Sequence, residues 1–102
     1  MRPVTVTTTD ASLAEVDSQP IPMDYQASVP FNVGIGCIVT GTVSYSVQHT
    51  FDGTNWFENA NISDATASAD TNYMFPVLQI RLAQKSGSGS VTMIVLQTGP
   101  GR

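Results

Sequence analysis

Thr42-Val43-Ser44-Tyr45-Ser46-Val47-Gln48-His49-Thr50-Phe51 alternates without a break: Val43, Tyr45, Val47, His49 and Phe51 on one side, Thr42, Ser44, Ser46, Gln48 and Thr50 on the other. Successive side chains of a strand point to opposite faces, so this period of two predicts a half-buried β-strand. Asp52-Gly53-Thr54-Asn55 follows as a turn, because Gly accepts positive φ and Asp bonds its own backbone. Trp56-Phe57 then opens the returning strand.

Working downstream, residues 63–72 are small and polar and read as a loop. Residues 73–85 read as one strand, with Leu78, Ile80 and Leu82 sharing a face. Ser86-Gly87-Ser88-Gly89 is a hairpin turn. Residues 90–97 form the last strand, apolar on both faces over Met93-Ile94-Val95-Leu96 and therefore expected at the centre of a sheet. Upstream, Val29, Phe31, Val33 and Ile35 form a second alternating series. Pro30 has no amide hydrogen to give a ladder, which predicts an edge or a bend there, and Gly34 and Gly36 suggest a bulge or corner. Val4 and Val6 alternate with Thr5 and Thr7. The helix signal is confined to one short turn near residues 11–16, capped by Asp10 or Ser12 and ended by Ser18-Gln19-Pro20-Ile21-Pro22. Short strands separated by turns predict an all-β fold, an antiparallel β-sandwich or jelly-roll-like barrel. The 102 residues suit a single domain, 1–102, with residues 1–26 as an N-terminal arm and loop and residues 98–102 as a C-terminal tail.

Composition narrows the function classes. Only 12% of residues are charged and the net charge is −4. The basic residues are Arg2, Arg81, Lys85 and Arg102, too few to neutralise a run of phosphates, so direct nucleic-acid binding is not expected. The four-residue apolar run Met93–Leu96 is far short of the about 20 residues that cross a bilayer as a helix, so no membrane partner is expected. The first residues lack the continuous apolar stretch of a signal peptide. Cys37 is the sole cysteine, which fits folding in a reducing cytoplasm, and Asn61-Ile62-Ser63 then matches a glycosylation acceptor by chance. A weakly charged surface has little to keep copies apart, which favours association.

No catalytic constellation emerges, so the chain is not expected to be an enzyme or to need a cofactor. His49 lies on the apolar face with no nucleophile or orienting group indicated, and reads as a hydrogen-bonded histidine at the rim of the core. One His and one Cys do not make a zinc site. Asp10, Asp17, Asp24, Asp52, Glu58, Asp64 and Asp70 do not follow the spacing of a calcium loop, so no metal is expected. The candidate binding site is the turn that carries Asp52, Asn55, Trp56 and Phe57, where two aromatic rings could stack on a sugar. The competing reading is a hairpin whose Trp56 pins the turn to the core.

The strand–turn–Trp segment of residues 43–56, the run Pro76-Val77-Leu78-Gln79-Ile80-Arg81-Leu82 and the hairpin strand of residues 87–97 together resemble small β-rich structural proteins of tailed bacteriophages. The likeness covers roughly residues 40–98. Residues 1–36 have no counterpart in it and would adapt the domain to its own particle. The resemblance implies a virion component made in the host cytoplasm: a capsid decoration (cement) protein, or a part of the neck or tail. It implies a homo-oligomer, with a trimer favoured, bound to the phage major capsid protein or to other virion proteins. A carbohydrate- or receptor-binding module of a phage tail or fibre is the alternative.

Overall fold

The computed structural model describes residues 3–23 and 32–97. The expectations for Val29, Pro30, Phe31 and the 98–102 tail lie outside these residues. Among the described residues there are nine strands: β1 (Val4–Thr9), β2 (Val16–Asp17), β3 (Ile21–Pro22), β4 (Val33–Thr40), β5 (Ser44–Thr50), β6 (Trp56–Glu58), β7 (Ala69–Tyr73), β8 (Gln79–Ser86) and β9 (Ser90–Gln97). All pairings are antiparallel. One sheet has the order β1-β9-β4-β7; the other has β2-β8-β5-β6, with β3 also on β8. The chain is an all-β, two-sheet sandwich.

The strand order has a simple origin. Taken as one interrupted strand, β2 and β3 pair with β8, while β1 pairs with β9, β4 with β7 and β5 with β6. These are the pairings of one long hairpin zipped from its ends to its middle. Wrapping that hairpin brings β9 against β4 and β8 against β5, which gives the double-sheet jelly-roll arrangement. The core lies between the sheets. Val33, Ile35 and Cys37 of β4 and Val91, Met93 and Val95 of β9 face Tyr45 and Val47 of β5 and Ile80 and Leu82 of β8, with Ile62 and Tyr73 filling the ends. Each fully buried aliphatic side chain contributes about 1.5–3 kcal/mol of transfer free energy.

Several expectations are corrected. Residues 11–16 contain no helical turn. Asp10 adopts a left-handed φ of 53°, its Oδ1 accepts hydrogen bonds from the Ser12 amide and hydroxyl, and the amides of Asp10 and Ala11 donate to the carbonyls of Gly89 and Gly87. Backbone pairing with the β8–β9 turn thus overrides the capping signal. Residues 4–22 do not stand off as an arm: β1 extends the first sheet, and β2 and β3 extend the second. Residues 63–72 are not wholly loop, because β7 pairs with β4 from Val33↔Tyr73 to Cys37↔Ala69. The strand expected over 73–85 starts at Gln79, and Tyr73 belongs to β7. Gly34 and Gly36 lie in unbroken register; the irregularity falls at Ser44/Tyr45.

β5 is also more enclosed than its alternation implies. Ser46 and Thr50, on the side away from the core, are fully buried. The Ser46 hydroxyl accepts from the Asp64 amide, the Thr50 hydroxyl accepts from Asp52 and Gly53, and Gln48 Oε1 accepts from Arg81 Nε at 2.7 Å. Buried polar groups are tolerated when they are paired in this way.

Candidate functional site

The expected binding turn divides into two parts with different duties. Asp52 Oδ1 accepts the amides of Thr54 and Asn55, both at 2.8 Å, and Asn55 Nδ2 donates to Asp52 Oδ2. These bonds to its carboxylate hold the Asp52 pKa well below the usual carboxylate range. The polar groups of the turn are therefore spent on the turn itself.

Trp56 and Phe57 do not form a shared platform. They are neighbours in a strand, so they point to opposite faces. Trp56 pairs with Thr50 on the outer side, and its ring lies under the Arg81 guanidinium, 4.2 Å from carbon to centroid. Arg81 belongs to an outer network: it pairs with Asp17 and donates to Gln48, while Glu58 binds Lys85, Ser63 and Gln48. The Lys85 and Ser63 hydrogen bonds pull the Glu58 pKa down to about 2. The Trp56 face that a sugar would need is thus occupied by a cation.

Phe57, opposite His49 on the inner side, joins a cluster at one end of the sandwich. His49 is ringed by Phe57 (stacked, 6.0 Å between centroids), Phe51 (edge, 5.4 Å), Phe75 (edge, 5.6 Å) and Tyr73 (edge, 4.9 Å). His49 and Tyr73 are buried and joined by a hydrogen bond of 2.7 Å from His49 Nδ1 to the Tyr73 hydroxyl. Burial lowers the His49 pKa and pushes Tyr73 up to about 12, so at neutral pH the pair is an uncharged imidazole beside a protonated phenol. Above this buried pair, Phe51, Phe57 and Phe75 remain about half exposed. A groove of about 290 Å³ lined by Phe51, Pro76, Val77 and Leu78 adjoins them. Residues 75–78 thus supply four of the six residues of this surface, although the sequence pattern alone puts them inside a strand.

Cys37 is buried in the core, and desolvation raises its pKa to about 12, which keeps it an inert thiol. Among the described residues no group of three or more His, Cys, Asp or Glu side chains is placed to hold a metal ion. Among those residues, too, no helix is long and apolar enough to cross a membrane. No protein-family model matches the chain, and no curated protein matches it.

Proposed function

We propose that the protein is a non-enzymatic assembly component that docks on another protein through its aromatic end. With the sequence resemblance, this makes it a phage capsid decoration protein seated on the major capsid lattice at the virion surface. One observation carries the reading: Phe51, Phe57 and Phe75 form one half-exposed aromatic surface over a buried His49–Tyr73 pair. Exposed aromatic side chains grouped in this way are typical of the centre of protein interfaces. Jelly rolls serve in both viral capsids and lectins, so the fold supports capsid and sugar-binding readings alike and the site must decide between them. A sugar site needs polar groups converging beside the rings. Here Asp52 and Asn55 bond one another and His49 Nδ1 bonds Tyr73, which favours an apolar protein partner.

Co-sedimentation with purified capsids of the encoding phage tests the proposal. Wild type is expected to bind saturably, and Phe75→Ser with Phe57→Ser to lose binding while keeping the fold. Failure of the folded wild type to bind capsids, or glycan-array binding that these substitutions abolish, overturns it.

A further inference from the structure

The outward faces of the two sheets differ in kind. The β2-β8-β5-β6 sheet carries Asp17, Glu58, Arg81 and Lys85 outside. Along β1, β4 and β9 there is no charged residue at all. Their outward positions are Thr5, Thr7 and Thr9; Gly34, Gly36, Ile38 and Thr40; and Ser90, Thr92, Ile94 and Leu96. Ile38 is 54% exposed and Leu96 50%. The register sets side chains beside bare backbone: Ile94 lies opposite Gly36, and Leu96 opposite Gly34. A side chain at Gly36 would meet nothing within 4 Å, so the glycines leave a shallow trough next to a ridge.

We infer that this face binds a second copy of the chain, related by a two-fold axis running along the strands between β4 and β9. The sheet order β1-β9-β4-β7 makes the face self-complementary under that operation. The β9 ridge of each copy falls over the β4 trough of the other, so Ile94 covers Gly36 and Leu96 covers Gly34, twice over. The same rotation sets β7 over β1. Asp70 and Thr5 flank the same Gly36–Ile94 level, which brings the Asp70 carboxylate of one copy to the Thr5 hydroxyl of the other. The face is also sparsely charged: Asp70 is the one charged residue in β1, β4, β7 and β9, so two copies meet here with few charges opposed. Two-fold interfaces use one patch twice, as this one would.

The area sets the strength. At about 4.8 Å spacing and about 3.3 Å per residue, two strands of eight residues with one of six and one of five offer roughly 430 Å² per copy, against about 800 Å² for a standard stable interface. The pair is therefore weak and concentration-dependent, and it is a dimer rather than the trimer implied by the resemblance. It stands independently of docking by the aromatic end.

Sedimentation equilibrium of the full chain from about 10 μM to about 1 mM tests it, a range that spans weak association. Wild type is expected to rise from 10.8 kDa toward twice that mass. Gly36→Asp, which adds its side chain to open space, and Ile94→Lys are each expected to weaken self-association at least about tenfold (1.4 kcal/mol) by burying a charge against its own copy. Mixing the two variants is expected to restore the pair, since position 36 of one copy then meets position 94 of the other. Circular dichroism establishes that each variant is folded, and either variant alone suffices if the other is not. A wild type that stays monomeric, a trimer, an association untouched by both variants, or no recovery on mixing overturns the inference. Phe75→Ser should leave the pair intact, and dissociation by it overturns the inference in favour of contact through the aromatic end.

Discussion

Gln84→Leu tests how the open end of the sandwich is closed. Gln84 faces inward from β8 and is fully buried. Its Nε2 donates to the carbonyls of Gly87 (3.1 Å) and Gly89 (3.0 Å), and its Oε1 accepts from the Thr8 hydroxyl at 2.8 Å. Leu has similar bulk, so the substitution mainly removes hydrogen bonds. The two carbonyls keep the amides of Ala11 and Asp10 as partners, so the loss there is the net value of a bond, about 1 kcal/mol or less each. The buried Thr8 hydroxyl is left alone, at a cost of about 1–3 kcal/mol. The sum is roughly 2–4 kcal/mol, which for a domain of this size lowers Tm by about 10–25 °C. Urea unfolding followed by circular dichroism measures it. Adding Thr8→Val to Gln84→Leu removes the stranded hydroxyl and should recover about 1 kcal/mol or more. A loss under about 0.5 kcal/mol for Gln84→Leu, or strictly additive losses in the double variant, would refute this account of the closure.

Gly87→Ala should be among the most damaging small substitutions: at a φ of 99° its Cβ would meet backbone, with Thr42 O and Val43 Cα closest, so a loss above about 3 kcal/mol is expected by thermal or urea unfolding. Gly36→Ala, in open space at ordinary φ, should instead change stability by no more than about 1 kcal/mol and in the favourable direction, and a large loss would show that the strand is crowded there. His49 has a folded pKa below its unfolded value of 6.5, so its contribution is present above that pH and lost as the unfolded chain takes up the proton below it. Stability should therefore fall between pH 7 and 5, and His49→Gln should flatten the slope; an unchanged slope excludes His49 as the source. Glu58 works on the acid side: its bonds contribute above the unfolded value of 4.5 and are lost as pH falls toward about 2, so Glu58→Gln should cost less than about 1 kcal/mol at pH 7, given its exposure, and nothing near pH 2.

Two strands were legible, β5 from its alternation and β9 from its apolar centre, along with the turn after β5 and the turn before β9. β7 was not, because Ala69-Asp70-Thr71-Asn72 puts only small residues on its inner side. It is a strand because the free edge of β4 offers it hydrogen bonds, a tertiary cause with no local trace. The two-residue strands β2 and β3 are of the same kind, whereas β1 shows in the alternation of Val4 and Val6. The polar burial of Gln84, Ser46 and Thr50 was hidden as well, since residue type alone predicts exposure for all three. At the candidate site, the rim position of His49 follows from its place among Tyr45, Val47 and Phe51. The separation of Trp56 from Phe57 was available too: adjacent strand residues face opposite ways, and the period-two rule applied to β6 would have split the pair. Phe75 was not legible as part of the site because residues 73–78 have the pattern of a strand, which begins only at Gln79.

The hairpin-like closure of the sheets also governs when the chain can fold. Val4 is hydrogen-bonded territory for Val95, and β4 needs the same last strand. During synthesis at about 5–20 residues per second, the first sheet lacks one of its two central strands until β9 has emerged. Until then Val33, Ile35 and Cys37 have no β9 to cover them. Contacts this distant in sequence slow folding to milliseconds or longer, so the emergence of β9, rather than any early nucleus, sets the moment of closure. Loss of the final eight-residue strand should therefore abolish the fold as a whole, not merely trim one edge.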